Sequence, residues 1–331
     1  MTKHILLIRQ AAHLARTRPG LAEPSRALAE AEPHAHTLLA YPLIGAWAIR
    51  CLTAGRAADL NHLHGVAAAA TLAAGREITW PLPAGTHIPA AGPHRLRAGS
   101  QMLHLDDADP YRDVFDLPLS PRLSPAQAAA WRTATAEAGE LLATHHPWHA
   151  RSMARCLSAV VPLASPGRSA TSRDAFGAAA LALPEDSRRL AAGLVHEQQH
   201  AKLNALLFFH DLLRPGALPG RYYAPWRTDP RPAGALLHGC YAHLAIADFW
   251  RTEFTRTEDE TAAFEFDRWR LAVTATAETL AASGTLSPAG TRLVSGMRAR
   301  LAAWHGDTVP RTAHRRALAA LEAHRDEHAV A

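Results

Sequence analysis

With 331 residues, 48% of them hydrophobic and 20% charged, the chain is long enough for one large core or two ordinary ones, which excludes a mini-protein and argues against an intrinsically disordered chain. Its net charge of +5 comes from arginines scattered along the chain with few aromatics among them, a pattern that argues against a nucleic-acid partner. No run of about 18 apolar residues exists to span a bilayer, the start from Met1 to Arg9 is too short in apolar residues for a signal-peptide core, and Cys51, Cys156 and Cys240 fit neither a disulfide framework nor a CxxC metal site; a cytoplasmic protein with no membrane partner is expected.

In chain order, the apolar spacing from Ile5 to Leu14 predicts a helix that stops before Pro19-Gly20. Leu38 to Leu52 reads as a second helical stretch with a break near Pro42, and Leu60 to Ala74 as a third, ended by Gly75. Between Ile78 and Leu105, punctuation by Pro81, Pro83, Gly85, Pro89, Gly92 and Pro93 leaves loops and short strands, one of which would offer an exposed edge to a peptide. Ser124-Pro125 opens a helix to about Ala143, stopped by His145-His146-Pro147. Leu157 to Leu163 reads as a strand leading into a polar loop at 165–169. Ala175 to Leu183 has a helical composition, but the bounding Pro184 leaves an edge strand open. A helix should run from Pro184-Glu185-Asp186 to about Leu213 and another from Ala233 to about Phe254. Two or three alanine-rich helices, separated at Ser283-Gly284 and Gly306-Asp307, should follow, with a charged tail that frays from His314.

The 184–213 helix carries His196-Glu197-Gln198-Gln199-His200, an HExxH motif. At 3.6 residues per turn the two histidines lie one turn and about 40° apart, so both imidazoles can ligate one metal ion. Glu197 sits about 80° off their midline, where it can hydrogen-bond a metal-bound water or oxyanion instead of sharing the metal. Leu194, Val195, Leu203, Leu206 and Leu207 place the pair beside an apolar stripe, which argues against two polar residues on a solvated face.

A third ligand separates the possible chemistries. The continuation HExxHxxGxxH fails, since Leu203 and Leu206 stand where glycine and histidine belong, and no glutamate occurs between Glu197 and Glu253 to complete a His-His-Glu set. The next helix offers His238 and His243, about 140° apart and so not both expected to face the metal. His243 shares its face with Leu236, Cys240, Leu244 and Ala247 and is preferred, with His238 as the alternative; His210 is too far along the first helix. With Glu197 as general base on a zinc-bound water the site would be a metallopeptidase's. Open positions around iron would suit an oxygenase, and a metal-free binding or scaffold protein is the third reading.

Ordered blocks around the motif carry a resemblance. Thr171-Ser172-Arg173-Asp174-Ala175-Phe176-Gly177, Leu194 to Leu203, Tyr222-Tyr223-Ala224-Pro225-Trp226-Arg227, and Leu237 to His243 through Asp248-Phe249-Trp250-Arg251 resemble, over about 145–251, the HEXXH-domain peptide-modification family, α-ketoglutarate-dependent peptide β-hydroxylases acting on ribosomally made precursor peptides. Together with the element pattern, this implies an α+β, predominantly helical fold: a zincin-like HExxH helix core with a small β component over 145–255. A mainly helical region over 1–144, turn- and strand-rich at 76–105, would precede it, and helices over 256–331 would complete it. The resemblance further implies that His196, His200 and His243 hold Fe(II), that α-ketoglutarate and O₂ are cosubstrates, and that Glu197 orients water, oxygen or substrate. The distal carboxylate of the keto acid needs a cation; Arg227 is the first candidate and Arg173 the second, with the hydroxyls of Tyr223 and Ser172 as further donors. Partners would be the precursor peptide and other maturation enzymes of the same pathway. No CxxxCxxC cluster motif is present, so the chain would be the stand-alone hydroxylase.

Overall fold

The computed structural model describes residues 2–18, 20–54, 57–92, 94–216 and 220–330; Met1 and two of the punctuating prolines, Pro19 and Pro93, lie outside them. The fold is α+β and mostly helical, and it divides into two compact units, one formed by 1–143 with 150–193 and the other by 144–149 with 194–331. Among the described residues no helix is long and apolar enough to cross a membrane.

The first unit opens with α1 (Thr2–Ala15), α2 (Ala22–Ala31), α3 (His36–Leu39), α4 (Pro42–Ala54), α5 (Ala57–Asn61) and α6 (Leu63–Ala73). Pro42 begins α4 because a first helical turn leaves its N–H unbonded in any case. Gly75, at φ +70°, takes the left-handed turn after α6. The next segment is loop until the antiparallel hairpin of β1 (Arg95–Ala98) and β2 (Gln101–Leu105). After a 3-10 turn at Pro110–Phe115, a capping box opens α7 (Pro125–His145): the Ser124 hydroxyl accepts from the Gln127 N–H, and the Gln127 side chain accepts from the Ser124 N–H. Pro147, read above as a stop, also starts the next helix, α8 (Pro147–Cys156).

Strands β3 (Ala159–Pro162), β4 (Ser169–Thr171) and β5 (Ala178–Leu181) complete a five-stranded mixed sheet in the order β1-β2-β3-β5-β4. Two expectations change here. The 175–183 stretch holds neither a helix nor an edge strand: β5 is paired parallel to β3 and antiparallel to β4, and all four of its residues are buried. Pairing and burial on both flanks override alanine's preference for helix. The polar loop gives way at Ser169 to β4, which takes one edge, while β1 from the turn-rich segment takes the other. Val161, Ala178 and Ala180 join Leu43, Trp47, Leu63 and Val66 in one apolar core.

The helix α9 (Ser187–Leu206) is capped by Asp186, whose carboxylate accepts from the Arg188 N–H at 2.7 Å, and it passes from the first unit to the second after Gly193. It ends short of the expected Leu213 because the following leucines pair elsewhere: the Leu212 carbonyl accepts from the Ser287 N–H at 3.0 Å, and Leu213 bridges Leu286. His210 therefore lies in an exposed loop. In the second unit a short hairpin, β6 (Arg221–Tyr222) with β7 (Arg231–Pro232), precedes α10 (Ala233–Thr257), α11 (Glu260–Ala282), α12 (Pro288–Ala302) and α13 (Arg311–Val330). The helix α11 packs against the other three and buries Phe266, Val273 and Leu280, with the Phe266 ring edge-on to Trp304. The tail does not fray from His314: Ala313 and Ala317 are fully buried, and His314 Nδ1 lies 2.6 Å from Asp267 Oδ2.

Candidate metal centre

The HExxH turn of α9 is buried on most sides: Leu194, Val195, Glu197, Gln198 and Gln199 are buried, and His196 and His200 are half-buried. The Nε2 atoms of His196 and His200 stand 3.1 Å apart, with the rings at 85°. Two imidazole nitrogens each about 2.1 Å from one ion are separated by roughly 3.0–3.4 Å in octahedral or tetrahedral geometry, so the pair has the spacing of adjacent ligands. Burial, reinforced by neighbouring imidazoles, holds both rings neutral, His196 well below its ordinary value and His200 down at about 2. Neutral imidazole is the ligating form. Glu197 lies beside them, its Oε1 3.9 Å from His196 Nε2.

The helix α10 brings two further imidazoles, each approaching a different member of the pair. The His243 ring centre is 4.7 Å from that of His196, and the His238 ring centre is 5.8 Å from that of His200. His243 is the more firmly held. Its Nδ1 donates to the Gly239 carbonyl at 2.8 Å, which leaves Nε2 as the lone-pair atom. Its ring stacks on Trp226 at 4.5 Å and 14° and tilts against Trp269 at 4.4 Å. Gly239 admits that indole, since a Cβ there would stand 2.3 Å from Trp226. Burial lowers His243 to about 3, although the hydrogen bond to Gly239 opposes the shift.

Among the described residues, the group of three His, Cys, Asp or Glu donors whose ligating atoms all lie within 4.8 Å of one another is His87, Asp106 and Asp109, in the first unit. His196, His200 and His243 stand wider than that, and closing on one ion requires the His243 ring to draw toward the pair.

The α10 carboxylates are engaged elsewhere. Asp248 accepts from Arg300 at 3.0 Å. Glu253, fully buried, meets His146 Nε2 at 3.0 Å and accepts from Arg256 at 2.8 Å; burial pushes its pKa up, but these hydrogen bonds prevail and hold it at about 2.

The residues expected to bind a keto acid are dispersed. Arg227 is exposed and donates to Asp229 at 2.9 Å, which also accepts from Arg231. Arg173 is exposed, and the Ser172 hydroxyl accepts from the Asp174 N–H at 3.3 Å; both lie on the turn between β4 and β5, in the first unit. Tyr223 shares its hydroxyl with His324 Nδ1 at 2.8 Å. Sequence reasoning missed Arg268 on α11. It is half-buried, its Nε has no hydrogen-bond partner among the described residues, and its guanidinium lies 4.6 Å over the Trp269 ring that tilts against His243. Its charge reaches His243 and Tyr223: it adds to the burial that lowers the His243 pKa and, with Arg325, opposes the burial that raises that of Tyr223. Arg268 stands outside every motif block, and only the fold separates it from Arg270, which pairs with Asp267. No protein-family profile matches the chain, and no curated protein matches it.

Proposed function

We propose that the protein is an Fe(II)- and α-ketoglutarate-dependent oxygenase that β-hydroxylates a residue of a ribosomally made precursor peptide. Support comes from the imidazoles that α10 brings toward the HExxH pair, with the α10 carboxylates engaged elsewhere. The observation that carries the reading is Arg268, a guanidinium without an ion-pair partner among the described residues, near the third histidine, where the distal carboxylate of a small diacid needs a cation.

In this reading His196, His200 and His243 hold the iron in a zincin-like arrangement, and the iron, when bound with the keto acid, supplies the activation of O₂. The chain's own residues position and shield. Gly239 keeps His243 in the tautomer that presents Nε2, and Trp226 and Trp269 cover the imidazole faces. Arg268, with Tyr223 in reach of its charge, orients the diacid, the role first expected of Arg227. Glu197 holds water or substrate beside His196. Work in the cytoplasm beside other maturation enzymes belongs to the same reading.

A second reading, a zinc metallopeptidase, rests on Glu197, whose carboxylate beside His196 has the place of a general base. Incubation with Fe(II), ascorbate, α-ketoglutarate and a precursor peptide encoded beside the gene, followed by mass spectrometry, separates the two. Gain of one oxygen by the peptide with matching succinate is expected. Cleavage by the zinc form without keto acid selects the peptidase and refutes the oxygenase.

A further inference from the structure

The first unit holds a polar cluster that the oxygenase reading does not use. Asp106 follows β2, and Asp109 caps the 3-10 turn that comes next. His87 arrives from the loop between α6 and β1. The approach of that loop is built into α6: a Cβ on Gly65 would stand 1.9 Å from the His87 carbonyl oxygen, so only glycine lets the backbone come this close. The His62 ring stacks on His87 with centres 6.0 Å apart and planes 9° apart.

The hydrogen bonding of these side chains is incomplete in one direction. Asp109 is 1% exposed; its Oδ1 accepts from the Tyr111 N–H at 2.9 Å, while its Oδ2 has no hydrogen-bond partner. His87 Nε2 is buried and also lacks one, although it stands only 3.3 Å from Asp109 Oδ2. At that distance an ordinary His–Asp pair would align its N–H with the oxygen; these two atoms do not align, and their separation is that of adjacent ligands about 2.1 Å from a shared ion. Asp106 accepts the N–H groups of Ala108 and Asp109 on Oδ1, at 3.0 and 2.9 Å, and the Tyr41 hydroxyl on Oδ2, contacts that fix the carboxylate and leave it lone pairs for a cation. Among the described residues no lysine or arginine lies within ion-pair distance of either carboxylate, whereas the intervening Asp107 is bound to Arg122 at 3.1 Å and to the Leu123 N–H at 2.7 Å. Two buried carboxylates facing one imidazole thus have no lysine or arginine in direct contact, although the charge of Arg112 reaches both from farther off.

We infer that His87 Nε2, Asp109 Oδ2 and the Asp106 carboxylate form a second metal site, for a divalent first-row transition ion. The mixed nitrogen and oxygen donors suit Zn(II), Mn(II) or Fe(II) over calcium or a soft ion, and three protein ligands leave a position for water or a substrate oxygen. The ion would tie the loop bearing His87 to the end of β2.

The test counts zinc bound by chelator-stripped full-length protein. His196→Ala/His200→Ala protein, which lacks the helical pair, is expected to retain one equivalent of Zn(II). Asp109→Asn or His87→Gln in that background should weaken the remaining binding at least about a hundredfold, while Asp107→Asn leaves it unchanged. His87→Gln, in the loop, guards against a folding failure of Asp109→Asn, and circular dichroism verifies each variant. The inference is overturned if the folded double-alanine protein binds no zinc, if Asp109→Asn and His87→Gln retain it, or if Asp107→Asn loses as much as they do. Because the pair of the proposed iron centre is absent throughout, failure here is distinct from failure of the oxygenase.

Discussion

The helical histidine cluster and the cluster at the end of β2 position their donors by opposite means. In the first, helix geometry alone sets His196 and His200 one turn apart with their nitrogens 3.1 Å from each other. Its weak point is the third donor, which must come from another helix and stands wide. In the second, no two donors share a regular element: a loop held against Gly65, a strand end and a turn cap each supply one, yet all three meet within 4.8 Å. Local geometry thus yields a close pair with a third imidazole set wider, whereas long-range packing yields a closed trio that depends on one loop.

The sharpest way to break the comparison is to remove the helical pair. His196→Ala/His200→Ala should abolish peptide hydroxylation, a loss of at least about a thousandfold for a missing metal, measured by succinate release, with thermal stability of the first unit unchanged. Next in size, Arg268→Met should raise the α-ketoglutarate needed for half-maximal turnover about tenfold or more, the loss of one charge-assisted contact, with turnover at saturation nearly unaffected. Arg227→Ala, already tied to Asp229, should leave that dependence within about twofold; the reverse order in steady-state kinetics would return the role to Arg227.

Two glycine substitutions probe the two clusters in parallel. Gly65→Ala drives a methyl into the His87 carbonyl and Gly239→Ala drives one into Trp226, each costing about 2–3 kcal/mol by chemical denaturation. Gly65→Ala should weaken zinc binding in the first unit and spare iron binding in the second, and Gly239→Ala the reverse; crossed effects would show that the clusters are not independent. The smallest effect concerns acid. Burial lowers His149 from 6.5 to about 4, despite Asp248 nearby, and its Nδ1 has no hydrogen-bond partner. Between those values the unfolded chain takes up a proton that the folded one does not, so stability falls as pH drops from 6.5 to about 4. His149→Gln should flatten that limb of thermal midpoint against pH.

The contrast also explains what could be read from the residues alone. HExxH is legible because both donors sit on one helix, and the capping box at Ser124 and the break at Pro42 are equally local. The burial of β5 was not, since Ala178 to Leu181 has a helical composition and only pairing with β3 and β4 makes it a strand. The end of α9 at Leu206 depends on Leu212 meeting Ser287 far along the chain. Arg268 and the His87–Asp106–Asp109 trio belong to the same class: nothing in their neighbours marks them, and their meaning comes from what the fold leaves unpaired around them.

Iron-edge X-ray absorption on Asp109→Asn protein carrying one Fe(II) tests the helical centre most directly. Three imidazole scatterers, with oxygen neighbours that change when α-ketoglutarate is added, are the expected result. Fewer than two imidazoles, or a spectrum indifferent to the keto acid, would contradict it.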